Sequence, residues 1–211
     1  MELRKESLKD KIVTILMQRI IDGTLPLGEK IREIHIAKEF GVSQAPVREA
    51  IITLVAIGIL EHTPNVGTHV KVCNEKEILE IYKTREALET FVADENIGYT
   101  DEQIVQLKKH YNNMLLSAKD NDIKSFVNAD QKFHTTILSA SDNTLLLDIW
   151  TQLYTRSSVQ KVVKDYHDNF LSIAQLHLPI IEAIEQHNSE AHKDAIIAHY
   201  ANIYINIKGS K

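Results

Sequence analysis

Three histidines and one aspartate interrupt apolar helical stripes in the second half of this 211-residue chain. Ile123, Phe126, Val127, Asp130, His134, Ile137 and Leu138 recur at helical spacing, so a carboxylate and an imidazole four residues apart share one inward face. The run Phe170, Ile173, His177, Ile180, Ile181, Ile184 repeats the intrusion, as does Ile196, His199, Ile203, Ile207. Burying such groups unpaired is costly, and a divalent transition metal would satisfy all of them at once. One such residue alone is more often a hydrogen-bonded core histidine; the coincidence of Asp130, His134, His177 and His199 favours a metal. Imidazole and carboxylate ligands point to Zn2+, with Ni2+ or Mn2+ as alternatives where further oxygen ligands complete the site. Arg85 is another intrusion, in the stripe Ile78, Ile81, Tyr82, Arg85, Leu88, Val92. A buried guanidinium needs an anionic partner, and Glu89, one turn on, could supply it. His110, His167, His187 and His192 are expected to be exposed, from helical phase or nearness to a helix end.

Those residues need helices to hold them. From Glu75 onward the 3.6-residue periodicity predicts helices at about 75–97, 101–119, 121–140, 143–160, 167–187 and 189–207, an all-α bundle of about six, with Pro179 kinking the fifth. Gly and Pro number only 7 and 4, which disfavours turn-rich all-β folds, and all but Gly98, Pro179 and Gly209 lie before residue 74. Charge divides at the same place: residues 1–74 hold ten Lys/Arg and nine Asp/Glu, residues 75–211 fourteen and twenty. Two domains are therefore expected, 1–74 and 75–211, the first better suited to a polyanion although only weakly basic. Cys73 is the single cysteine of the chain, which excludes an internal disulfide framework. No apolar run approaches the roughly 18 residues of a membrane span and the first ten residues lack a secretion signal, so a cytoplasmic location without membrane contact is expected.

In the first domain, Leu8, Ile12, Ile15, Leu16 and Ile20 mark a helix that stops at Asp22-Gly23. Ile34, Ala37 and Phe40 mark a second, ended by Gly41, after which Ser43 can cap a third with inner stripe Val47, Ile51 and Leu54. Pro46 is tolerated in the first turn, where its missing N–H has no intrahelical partner. Two helices joined by a tight Gly turn read as a helix-turn-helix. The β-prone runs Ile59–His62 and Thr68–Val72 flank a turn and read as a hairpin, or wing.

The stretches IIDGTLPLGEKIRE, IAKEFGVSQAPVREAI and LVAIGILEHTPNVGTHV make residues 7–72 resemble the winged-helix domain of the GntR family of bacterial transcription regulators. The resemblance implies a third helix in the major groove and a wing in the neighbouring minor groove, with Arg32, Ser43, Gln44, Ala45, Pro46, Arg48 and Gly67 at the DNA. Arg48 would read a guanine edge and Arg32 hold phosphate. Gln44 and Asn65 depart from the commonest family pattern, Arg at the first and Gly at the second. Further on, YKTREALE, ADQKFHTTILSASDNTLLLDIW, LHLPIIEAI and AIIAHY resemble the ligand-sensing FCD domain of the family's FadR-like branch, and the six expected helices its shorter, VanR-like subgroup. Many FCD domains hold a metal with an Asp and three His, which match Asp130, His134, His177 and His199 one by one. Arg85 matches the Arg that grips a ligand carboxylate, so a small organic or sugar acid effector is implied. A homodimer on a pseudo-palindromic operator follows from the same resemblance.

The expected function is thus a DNA-binding regulator, a repressor, in which a metal-held acid shifts the population of DNA-competent arrangements. Two alternatives stand beside it: a DNA-binding protein whose metal is purely structural, and a metal-dependent hydrolase. Against the enzyme, no general base stands beside the cluster and no Gly-x-Ser-x-Gly motif is present.

Overall fold

Ser7 opens the first helix with its Oγ accepting the Asp10 amide, and α1 (Leu8–Ile21) buries Ile12, Leu16 and Ile20. Leu8 and Ile15, expected inside, are exposed. The computed structural model describes residues 7–95, 98–161 and 170–209. After β1 (Lys30–Ile31) comes α2 (Glu33–Phe40), which buries Ile36 and Ala37 and leaves Ile34 exposed. Gly41 ends it in the left-handed conformation, φ 65°. Ser43 occupies the N-cap of α3 (Gln44–Ala56) with extended backbone, but its side chain makes no capping bond. Val47, Ile51 and Leu54 face the core as expected.

The wing is β2 (Leu60–Thr63) and β3 (Gly67–Val70), antiparallel from Leu60 opposite Val70 to Thr63 opposite Gly67. Asn65 at φ 65° and Gly67 at φ 113° close its turn, a conformation Asn tolerates and Gly favours. β1 pairs with the other edge of β3, giving the order β1-β3-β2. That strand was not anticipated: two residues show no alternation.

The second half is helical. Reciprocal capping boxes, Asn74 with Glu77 and Thr100 with Gln103, start α4 (Glu75–Asp94) and α5 (Asp101–Lys119). Asp122 caps α6 (Ile123–Ser139), and α7 (Thr144–Lys161) follows. The expected fifth helix, 167–187, is not one kinked helix. Residues 167–169 lie outside the described ones, and the remainder forms α8 (Phe170–Gln175) and α9 (Leu178–Glu185). Pro179 lies in the first turn of α9 and starts it, because its nitrogen cannot donate to the preceding turn. At the junction the Leu176 and His177 amides donate instead to Ile173 and Ala174, three residues back. With α10 (Ser189–Gly209), the described residues from 75 on form seven helices rather than six.

Packing separates two units. One runs to Val72 and includes Val159 and Gln160; the other takes residues 73–158 and those from 170 on. The first is a winged helix-turn-helix around Leu16, Val47, Leu54 and Ile59; the second is an all-α domain around Phe133, Ile137, Trp150 and Ile196. No helix among the described residues is long and apolar enough to cross a membrane.

Candidate metal and effector centre

The four-residue spacing of α6 brings Asp130 and His134 to its inner face, the α8–α9 junction presents His177, and α10 presents His199. All four are buried: Asp130 at 6% exposure, His134 and His177 at 0%, His199 at 3%. One ligating atom from each of the three histidines lies within 4.8 Å of the others. His134 Nε2 and His177 Nε2 are 3.3 Å apart, and Asp130 Oδ1 lies 3.2 Å from His177 Nε2 and 3.9 Å from His134 Nε2.

The outer nitrogens orient the rings. His134 Nδ1 is 2.8 Å from the Glu89 carboxylate, and His177 Nδ1 is 3.1 Å from the carbonyls of Ile173 and Ala174. An N–H on Nδ1 matches those acceptors, and the same ring orientation turns both Nε2 atoms toward each other and toward the Asp130 carboxylate. Imidazole nitrogens and a carboxylate oxygen gathered this closely are a donor set that fits a divalent metal. Asp130 is held in turn by the Tyr154 hydroxyl, 2.8 Å from Oδ2. Burial and the Asp130 carboxylate push that hydroxyl well above its usual pKa, keeping it a donor.

Arg85 of α4 is 1% exposed. Its Nη1 donates to Ser157 Oγ at 3.0 Å, and its Nε is buried without a hydrogen-bond partner among the described residues. The guanidinium lies over four rings: Trp150 at 4.7 Å, Tyr154 at 4.8 Å, Tyr82 at 5.1 Å and Tyr200 at 5.6 Å. Glu89, the internal partner considered from sequence, does not pair with it. That carboxylate is fully buried, takes His134 on Oε2, and on Oε1 accepts from Trp150 Nε1 at 2.7 Å and from the Tyr200 hydroxyl. Burial acts to raise the Glu89 pKa, and His134, Arg85 and Tyr200 outweigh it, leaving a carboxylate below the ordinary range. Among the described residues no carboxylate pairs with Arg85.

Sequence reasoning missed Glu89 as the support of His134, since nothing in the sequence tells which inward group it meets. It also misjudged His192, which is 4% exposed and packs edge-on against Tyr99, and His110, which is half-buried; His187 is exposed as expected. His167 lies outside the described residues.

In the first unit, Ser43, Gln44 and Ala45 are exposed on the first turn of α3, with Pro46 half-buried behind them. Arg48, one turn on, donates Nε to Glu33 Oε2 at 3.0 Å while its side chain stays 60% exposed, so the remaining guanidinium edge faces solvent. That pair ties α3 to the start of α2, where exposed Arg32 is the N-cap. Gly67 stands on a different element, at the start of β3, where Lys30 Nζ donates to the Val66 carbonyl at 2.7 Å and steadies the wing turn.

Residues 8–70 match the family described as bacterial regulatory proteins, gntR family, and residues 80–202 match the FCD domain. The gluconate operon transcriptional repressor of Bacillus subtilis (strain 168) is 33% identical over 190 residues, covering 87% of this chain and 78% of that protein. The crystal structure of a GntR transcriptional regulator from Rhodococcus sp. RHA1 superposes with a TM-score of 0.84 at 22% identity, over 96% of this chain and 98% of that one. A solved FCD domain described as metal-free superposes with a TM-score of 0.53 at 19% identity, over 66% of this chain and 96% of its own. At those identities the two structures speak to the fold.

Proposed function

We propose, from the premise that this chain belongs to the gntR family of bacterial regulatory proteins and has an FCD domain, that it is an operator-binding transcriptional repressor whose helical domain binds a divalent metal and a small carboxylate effector. Its relatives are transcriptional regulators, not enzymes. The observation that supports the sensor reading most is Arg85, a buried cation with no carboxylate partner among the described residues, on the same helix as the Glu89 that orients His134. Asp130, His134, His177 and His199 would hold the metal, Zn2+ by donor type with Ni2+ or Mn2+ as alternatives, and the bound ion would supply a Lewis acid for one oxygen of the effector. Arg85 would take the carboxylate, giving the guanidinium an ion pair that no carboxylate among the described residues makes with it. A small organic or sugar acid fits those two demands, and the name of the gluconate operon relative puts gluconate first among candidates.

On the DNA side, Arg48 would read a base edge and Arg32 a phosphate, with Ser43, Gln44, Ala45 and Pro46 against the groove and Gly67 letting the wing approach closely. The uncommitted Ser43 hydroxyl supports this assignment, since a capping bond would have occupied it. Two chains on a pseudo-palindromic operator complete the reading.

A thermal-shift titration tests it: protein loaded with Zn2+, with a chelated control, against gluconate and other small acids. The expected result is a midpoint that rises with acid concentration only when metal is present, and no rise in Arg85→Ala. A midpoint lowered by chelation but insensitive to every acid would instead support the structural-metal alternative, which the burial of all four proposed ligands also favours.

A further inference from the structure

Glu89 has both carboxylate oxygens engaged, and the two engage different things. Oε2 faces His134 Nδ1 at 2.8 Å, while Oε1 accepts from Trp150 Nε1 at 2.7 Å and from the Tyr200 hydroxyl. Trp150 and Tyr200 are two of the four rings around the Arg85 guanidinium. They also flank the histidine cluster: the Trp150 ring centroid is 5.5 Å from that of His134, and Tyr200 is 5.3 Å from His199. We infer that Glu89 is a positioning residue shared by the two halves of the sensing site, so that metal loading at His134 is read as a change in the Trp150 and Tyr200 walls of the Arg85 enclosure.

The inference rests on the metal reading above and adds a route of regulation to it. Glu89, Trp150 and Tyr200 are fully buried and His134 is too, so solvent cannot replace a bond lost among them. Asp130, the other inward carboxylate, is already against His177 and Tyr154. A shift of the His134 ring toward a bound ion must therefore be followed by Glu89, or leave a buried donor or acceptor unmatched. Any movement of Glu89 falls on two donors at once, the indole N–H and the Tyr200 hydroxyl. The same bond orients the His134 ring with Nε2 toward the cluster, and loss of such outer-shell partners lowers metal affinity by about 10–100-fold.

Trp150 is the only tryptophan in the chain, so its indole N–H gives a single resonance that reports directly on Glu89. The experiment titrates Zn2+ alone into the full-length wild type, Glu89→Gln and Tyr200→Phe, following Zn2+ affinity by competition with a chelating dye and the indole resonance by NMR. In the wild type the resonance should shift with the same midpoint as Zn2+ occupancy. In Glu89→Gln affinity should fall about 10–100-fold, and the resonance should no longer follow Zn2+ even at saturation. Tyr200→Phe leaves all four proposed ligands and Glu89 in place and should weaken Zn2+ binding several-fold, which serves as the test should Glu89→Gln fail to fold. Zn2+ binding to the wild type with a motionless indole, or equal affinities in all three proteins, overturns the shared role of Glu89 while the metal site stands. A wild type that binds no Zn2+ overturns both.

Discussion

Burial holds His192 at a pKa of about 4, against 6.5 for the free side chain, with Glu89 as a partial counterweight. Above pH 6.5 the imidazole is neutral folded or unfolded and contributes no pH dependence. Between about 6.5 and 4 the unfolded chain takes up a proton that the native state refuses, so stability falls as the pH falls, by up to about 3 kcal/mol. His192→Phe, which keeps a ring against Tyr99, should remove that part of the acid sensitivity; denaturant unfolding from pH 7 to 4 measures it, and parallel curves for the two proteins would contradict it. Arg48 offers a prediction of another kind. Its exposed guanidinium edge makes Arg48→Ala expected to weaken operator binding by about 1–3 kcal/mol and to relax preference at one base position, read by footprinting on a genuine operator. The inward polar residues were legible because each breaks an apolar stripe. Their partners were not: Glu89 could be placed one turn from Arg85, yet only the fold shows that it faces His134, Trp150 and Tyr200 instead.

Elements in the first domain were legible where Gly and Pro punctuate them, and Gly41 is the clearest case. Its amide reaches the Lys38 carbonyl, the Val42 amide reaches back to Ala37, and φ is 65°, so the turn into α3 depends on a left-handed residue. A Cβ built there meets nothing within 4 Å, so Gly41→Ala should cost only the conformational term, about 1–2 kcal/mol, and Gly41→Asn less. A cost well beyond that in thermal or denaturant unfolding would contradict a purely conformational origin. The second domain was harder to divide. Its apolar period runs through residues 170–184 without a pause, so Pro179 read as a kink in one helix. The chain breaks there because two amides turn to acceptors three residues back, and periodicity does not register a bond pattern. β1 escaped for the opposite reason, being too short to have a period; its pairing with β3 is set by the wing, which sequence placed only as a hairpin.

At the scale of the whole molecule, the proposed acid at Arg85 would have to shift an operator complex by its differential affinity alone. Moving a population from about 99:1 to 1:99 requires about 5.5 kcal/mol of differential affinity, or about 10^4-fold. A homodimer with one sensing site per chain divides that demand, so each site need distinguish the two arrangements only about 100-fold, or about 2.7 kcal/mol. One charge-assisted bidentate pair between a carboxylate and a guanidinium that no carboxylate among the described residues pairs with is of that order, and a metal bond to a second oxygen would add to it. The division has a signature. If both sites of a dimer must fill before the operator is released, release should depend on acid concentration with a Hill coefficient approaching 2, in protein whose mass by light scattering is twice that of the 24.0 kDa chain. Fluorescence anisotropy of labelled operator, titrated with the acid found by thermal shift in the presence of Zn2+, measures it. A Hill coefficient of 1 from a verified dimer would mean that one filled site suffices, and each site would then need the full 10^4-fold discrimination, more than one carboxylate contact supplies.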